Sequence, residues 1–94
     1  MNLDNLKVGQ VAKVEKINTQ DKVLRRRIMD MGITRGVLIT VLKIAPLGDP
    51  VAISLRGYTL SIRKSDLSMI EGEVVKQNSK NVEMDTKNNP ELEM

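Results

Sequence analysis

Cysteine, histidine, tryptophan and phenylalanine are all missing from this 94-residue chain, and tyrosine occurs once. Without cysteine there can be no disulfide, and nothing points to an oxidising compartment. Without histidine or cysteine, the usual groups for proton transfer and nucleophilic attack near neutral pH are gone. The same gap removes the imidazole and thiolate ligands that hold transition metals tightly. A single aromatic leaves almost nothing for nucleobases to stack on. The glycines at 9, 32, 36, 48, 57 and 72 match neither the dinucleotide fingerprint nor the phosphate loop. No catalytic residue, cofactor or metal site is expected, and the chain reads as a binder and not an enzyme. Asp30, Asp49, Asp66, Glu71 and Glu73 are the hard ligands left in or beside the folding unit. Asp49 lies between Gly48 and Pro50, where turn chemistry accounts for it.

Long apolar runs are absent too. The longest, Val37 to Leu42, is six residues with Thr40 inside it, far below the roughly 20 that cross a bilayer as a helix. The start, Met1-Asn2-Leu3-Asp4-Asn5, lacks the basic and apolar regions of a signal peptide. The expectation is a soluble, cytoplasmic chain.

What is present is charge, unevenly spread. Residues 1–72 hold 12 Lys/Arg against 7 Asp/Glu, and residues 73–94 hold 3 against 5. A basic body suits an acidic partner, although an ordinary solvated surface reads the same way. From Val74 onward apolar residues thin out without a steady period. We therefore expect one small domain over residues 1–73 and a disordered polar tail over 74–94.

Within the domain, Val11 to Ile17 partly alternates. Ile17 falls out of phase, which suggests a bulge near Glu15. Thr19 or Asp21 can cap a helix of about ten residues. Leu24, Ile28 and Met31 form its apolar stripe, Arg26 and Asp30 can pair at i,i+4, and Gly32 ends it. Val37 to Ile44 is strand-like and apolar on both faces. Pro46 and Pro50 bracket a loop, and Val51–Arg56 and Leu60–Arg63 alternate around a reversal at Gly57-Tyr58. Lys64-Ser65-Asp66 reads as a turn and Leu67–Ile70 as a last short strand. Five strands with one helix after the first indicate a mainly β fold, a small SH3-like barrel, with an OB-like barrel as the nearest rival.

The two-faced strand carries the strongest hint of a site. Val37, Ile39 and Val41 share one face, while Leu38, Leu42 and Ile44 take the other. Either the helix and loop cover the second face, or it is an exposed patch that marks a protein interface. Leu38, Leu42 and Leu47 would supply apolar area, and Arg26 and Arg35 a charged rim. Asp49 and Tyr58, the latter beside the Arg56-Gly57 hairpin, complete the candidate partner-binding residues. Arg25, Arg26 and Arg27 point to three sides of the helix and do not make one patch.

Several of these segments together resemble the ferrous iron transport protein A family. They are Leu-x-x-Leu-x-x-Gly at 3–9, Arg-x-Arg-Ile-x-x-Met-Gly at 25–32, Gly36, Ala-Pro-Leu-Gly-Asp-Pro at 45–50 and Leu-x-Ile-Arg-Lys at 60–64. Arg35 departs from the proline common before that glycine. The resemblance covers about residues 3–72. It implies a non-enzymatic accessory protein of bacterial ferrous iron uptake. Such a protein would be recruited to the inner face of the membrane by ferrous iron permease B, bind its cytosolic region and modulate its GTPase or gating. Weak self-association stays open, as does a metal-responsive module that uses carboxylates for a divalent transition metal. Similar domains end iron- or manganese-dependent repressors, but no helix-turn-helix precedes this one, which favours the transport protein. A nucleic-acid-binding barrel is the third reading.

Overall fold

A computed structural model describes residues 1–77 of the chain. A 3-10 turn at Leu3–Asn5 leads into strand β1 (Gln10–Ile17), helix α1 (Lys22–Asp30), and strands β2 (Leu38–Ile44), β3 (Val51–Leu55) and β4 (Tyr58–Ile62). The one-turn helix α2 (Lys64–Leu67) and strand β5 (Ile70–Gln77) follow. The strands make one antiparallel sheet in the order β4-β3-β2-β1-β5. Only β5 leaves chain order, returning to pair with β1.

Helix α1 starts and stops where its capping residues dictate. The Asp21 carboxylate accepts the backbone N–H groups of Val23 and Leu24 at 3.0 and 3.1 Å. At the other end Gly32 has a φ of +94°. Its N–H donates to the Met29 carbonyl, and the Ile33 N–H reaches back to the Ile28 carbonyl. This paired closure uses a left-handed glycine and brings an apolar residue on each side of it together. Ile28 and Ile33 are both 0% exposed, so the two contribute roughly 3–6 kcal/mol of burial. A nine-residue helix is too short to persist alone, and this burial holds it. Leu24 and Met31 lie against the same core.

The inner face of the sheet supplies the rest of that core: Ala12 and Val14, Ile39 and Val41, Val51, Ile53 and Leu55, Ile62, and Ile70, joined by Leu3, Leu6 and Leu67. The expected bend in β1 is present, because its register against β5 shifts between Val14 and Lys16. A second shift lies between Val11 and Ala12, and a third breaks β2 against β3 between Val41 and Lys43. After this last bulge Ile44 turns partly onto the core, which breaks the expected grouping with Leu38 and Leu42.

Two expectations need correction. Lys64–Leu67 is helical, and the last strand is not Leu67–Ile70 but Ile70–Gln77. The ordered unit therefore runs past residue 73: Val74 pairs with Ala12 and packs on the core, and Lys76 pairs with Val11. Ile70, Gly72 and Val74 continue an inward alternation that the exposed or half-exposed residues between them disguise. Gly72 is essential to it, since a Cβ there would run into the Lys13 carbonyl oxygen. The remainder of the expected tail, residues 78–94, lies outside the described residues.

Candidate functional site

Outward from the core, β2 presents Leu38 and Leu42, 50% and 44% exposed. Both stay open to solvent, so of the two alternatives the exposed patch is the one realised. Val11 stands opposite Thr40, on the diagonal to both leucines. It is only 8% exposed yet lies apart from the core cluster, so it is buried on the outer side of the sheet. Val75 is the extra residue where β5 bulges against Val11 and Ala12, and it is half exposed. Val8, also half exposed, precedes Gly9, whose N–H donates to the Val41 carbonyl beside Leu42. Leu38 and Leu42 on β2 and Val75 on β5 thus stand exposed on either side of the buried Val11 of β1.

Cations surround them. Lys13 is opposite Leu38, Lys76 is opposite Val11, and Lys43 follows Leu42. Arg35 lines a shallow groove with Lys13 and Glu73. Glu73, opposite Lys13, and Glu15, which lines the same groove, are the acids among them. The arrangement suits an apolar partner surface with an acidic margin.

The other candidate residues fall elsewhere. Leu47 is 97% exposed at the tip of the 45–50 loop. Asp49 in that loop caps α2, its Oδ1 accepting the Lys64 N–H at 2.8 Å. Tyr58 pairs with the inward Leu55 and its hydroxyl donates to the Met31 carbonyl at the end of α1. Next to it Arg56 donates to the Gly32 carbonyl at 3.2 Å and to Thr34 Oγ1 at 2.9 Å. Tyr58 therefore clasps the helix and does not join the leucine face. Arg26 pairs at 3.8 Å with Asp30, both side chains largely in water, a contact worth a few tenths of a kcal/mol. Arg25 donates to the Ile17 and Thr19 carbonyls. Arg27 and Arg63 each approach the buried Asp66 at 3.5 Å. The arginine run is mostly structural.

Sequence reading missed Val8, Val11 and Val75. Val11 was visible as the odd apolar residue of an alternating strand. Val75 was hidden by the early end assigned to the domain.

The family model described as the FeoA domain matches residues 1–74. A fusion of Fe(2+) transport protein A with the Fe(2+) transporter FeoB, from Porphyromonas gingivalis, is 37% identical over 79 residues, which are 84% of this chain and 9% of the relative. The chain thus spans about a tenth of that protein's length. The solution structure of an FeoA-like protein from Clostridium acetobutylicum is 45% identical and superposes with a TM-score of 0.76, covering 83% of this chain and 90% of that one. The zinc complex of Stenotrophomonas maltophilia FeoA, described as an SH3 domain protein, is 20% identical with a TM-score of 0.68 over 78% and 89% of the two chains. That likeness carries the fold: the architecture is SH3-like and mainly β, as expected.

Proposed function

The chain belongs to the FeoA domain family, and from that premise we propose that it is a non-enzymatic accessory protein of ferrous iron uptake. It binds the cytosolic region of a FeoB-type permease and modulates its GTPase or gating. The observation that carries this reading is the single-chain relative in which a stretch 37% identical to this chain is joined to an Fe(2+) transporter. The exposed Leu38, Leu42 and Val75, with the buried Val11 between them, form the part of the chain suited to the contact, with Lys13, Arg35, Lys43 and Lys76 drawing in an acidic partner. No helix among the described residues is long and apolar enough to cross a membrane. In this reading the permease recruits the chain to the inner face of the membrane. The metal-responsive alternative gains no observation, since no group of three or more Asp and Glu side chains stands together among the described residues.

Calorimetric titration of the full chain into the isolated cytosolic region of the host's ferrous iron transporter tests this. Saturable binding that weakens with salt and alters GTP turnover is expected. No binding at concentrations on the order of 10⁻⁴ M, weaker than most functional contacts, would reject the reading.

A further inference from the structure

We propose that the free edge of β4, with the groove beside it, docks an extended, acidic segment of the permease. The inference rests on the partner named above and adds how that partner is held. The β3–β4 hairpin turns through Arg56 and Gly57, both at positive φ, a two-residue turn that closes on Leu55 and Tyr58 as a hydrogen-bonded pair. Alternation from there gives Ile53–Leu60 and Val51–Ile62 the remaining bonds to β3. Thr59 and Ser61, opposite Ser54 and Ala52, then turn their N–H and C=O groups away from the sheet. Beyond β3 they find no backbone partner among the described residues.

Edge strands are normally closed to foreign strands by charge, proline or cover. Tyr-Thr-Leu-Ser-Ile at 58–62 has neither charge nor proline. The other edge, β5, carries Glu71, Glu73 and Lys76, and the chain's first residues already cover part of it. Met1 exchanges backbone bonds with Gly72, and Asn2 bridges to Glu71. The open edge is therefore β4.

A groove of about 230 Å³ lies on the outer side of this edge, lined by Ser61, Ala52, Lys43, Ala45, Pro46 and Pro50. Small side chains on its floor and prolines on its wall leave space for an apolar side chain of an added strand. Lys43 adjoins Leu42, so the groove continues the apolar surface described above.

Charge decides what kind of strand fits. Arg56 precedes β4, and Arg63 and Lys64 follow it. Among the described residues Arg56 bonds only to neutral acceptors, so no acid among them compensates its charge. Asp49 and Asp66 are the acids near the far end: Asp49 Oδ1 accepts the Lys64 N–H, and the buried Asp66 pairs with Arg63 and Arg27, so Lys64 is the cation there that no ion pair among the described residues engages. Two copies pairing antiparallel about Leu60 would set Arg56 of each opposite Lys64 of the other, and like charges directly opposite are destabilising. Self-pairing is disfavoured on this geometry, and an extended segment with acidic ends is favoured.

The test measures amide hydrogen exchange of the full chain with and without the isolated cytosolic region of the host's ferrous iron transporter. Exchange at Thr59 and Ser61 is expected to slow at least tenfold in the complex. Ser61→Pro removes one outward N–H and leaves the ladder to β3 intact, and should weaken binding at least tenfold. The pair Lys43→Glu and Lys64→Glu, which does not touch the ladder, should do the same and flatten the salt dependence. If the complex forms while Thr59 and Ser61 exchange as in the free chain, or if both folded variants bind within twofold of the parent, the edge is not the site and the permease reading stands. If the parent chain does not bind at all, the permease reading fails and this inference falls with it.

Discussion

Gly32 is held at a φ of +94°, and a Cβ built on it would sit 2.5 Å from the Tyr58 hydroxyl oxygen. Two costs therefore meet at one residue. Gly36 has a similar φ of +91° with nothing within 4 Å, so it isolates the backbone cost. Gly36→Ala should destabilise by about 1 kcal/mol and Gly32→Ala by about 2–3 kcal/mol. Tyr58→Phe alone should cost about 1 kcal/mol for the bond to the Met31 carbonyl. In the Tyr58→Phe background, Gly32→Ala should cost less than it does alone. Urea unfolding of the four chains in the Gly32/Tyr58 cycle, with Gly36→Ala alongside, gives the coupling. Additive costs at 32 and 58 would mean that the clasp between hairpin and helix is not made.

At the scale of elements, Leu42→Asp should weaken binding to the permease's cytosolic region at least tenfold while costing little stability, because its side chain already faces outward. Val23→Asp, on the first turn of α1 and 75% exposed, should change neither. Equal affinity for both folded variants and the parent would move the contact off the leucine face. The elements most legible in the sequence were those with local chemistry: Asp21 and Gly32 fix α1, and the mismatch of Ile17 announces the bend at Glu15. Harder to read was anything decided by a distant neighbour. Val74 joins the core only because Ala12 lies across from it, and Tyr58 becomes a clasp only because α1 ends beneath it. The bulge between Val41 and Lys43 redirects Ile44 through its pairing with β3, and no single residue marks it. Two candidate residues, Leu38 and Leu42, were legible because apolar side chains on both faces of a strand are unusual in a half-solvated sheet. Arg26 was assigned to the rim of that face, whereas it stands on the helix in an exposed pair with Asp30.

For the whole molecule, two truncations test where the folded unit ends. Removing residues 78–94 should leave the unfolding midpoint within experimental error, since their polar, aperiodic composition offers little to bury. Removing 74–94 takes away the last four residues of β5 and the partly buried Val74, and should cost at least about 2 kcal/mol. Equal midpoints for the two truncations would show that β5 ends early after all. Anaerobic calorimetry should find ferrous iron bound no more tightly than roughly 10⁻⁵ M, as expected of carboxylates without imidazole or thiolate. A stoichiometric micromolar site would favour the metal-responsive reading instead. The place where the chain leaves the sheet has a consequence of its own. Strand β5 ends at Gln77, two residues beyond the exposed Val75 and one beyond Lys76, which is paired to Val11. A partner spliced directly after Gln77 would begin its path at the apolar surface, at an effective concentration in the millimolar range for a short tether. A contact too weak to survive dilution between separate chains would then stay nearly saturated within one, so fusing the two proteins changes the occupancy of this surface without altering a single residue on it.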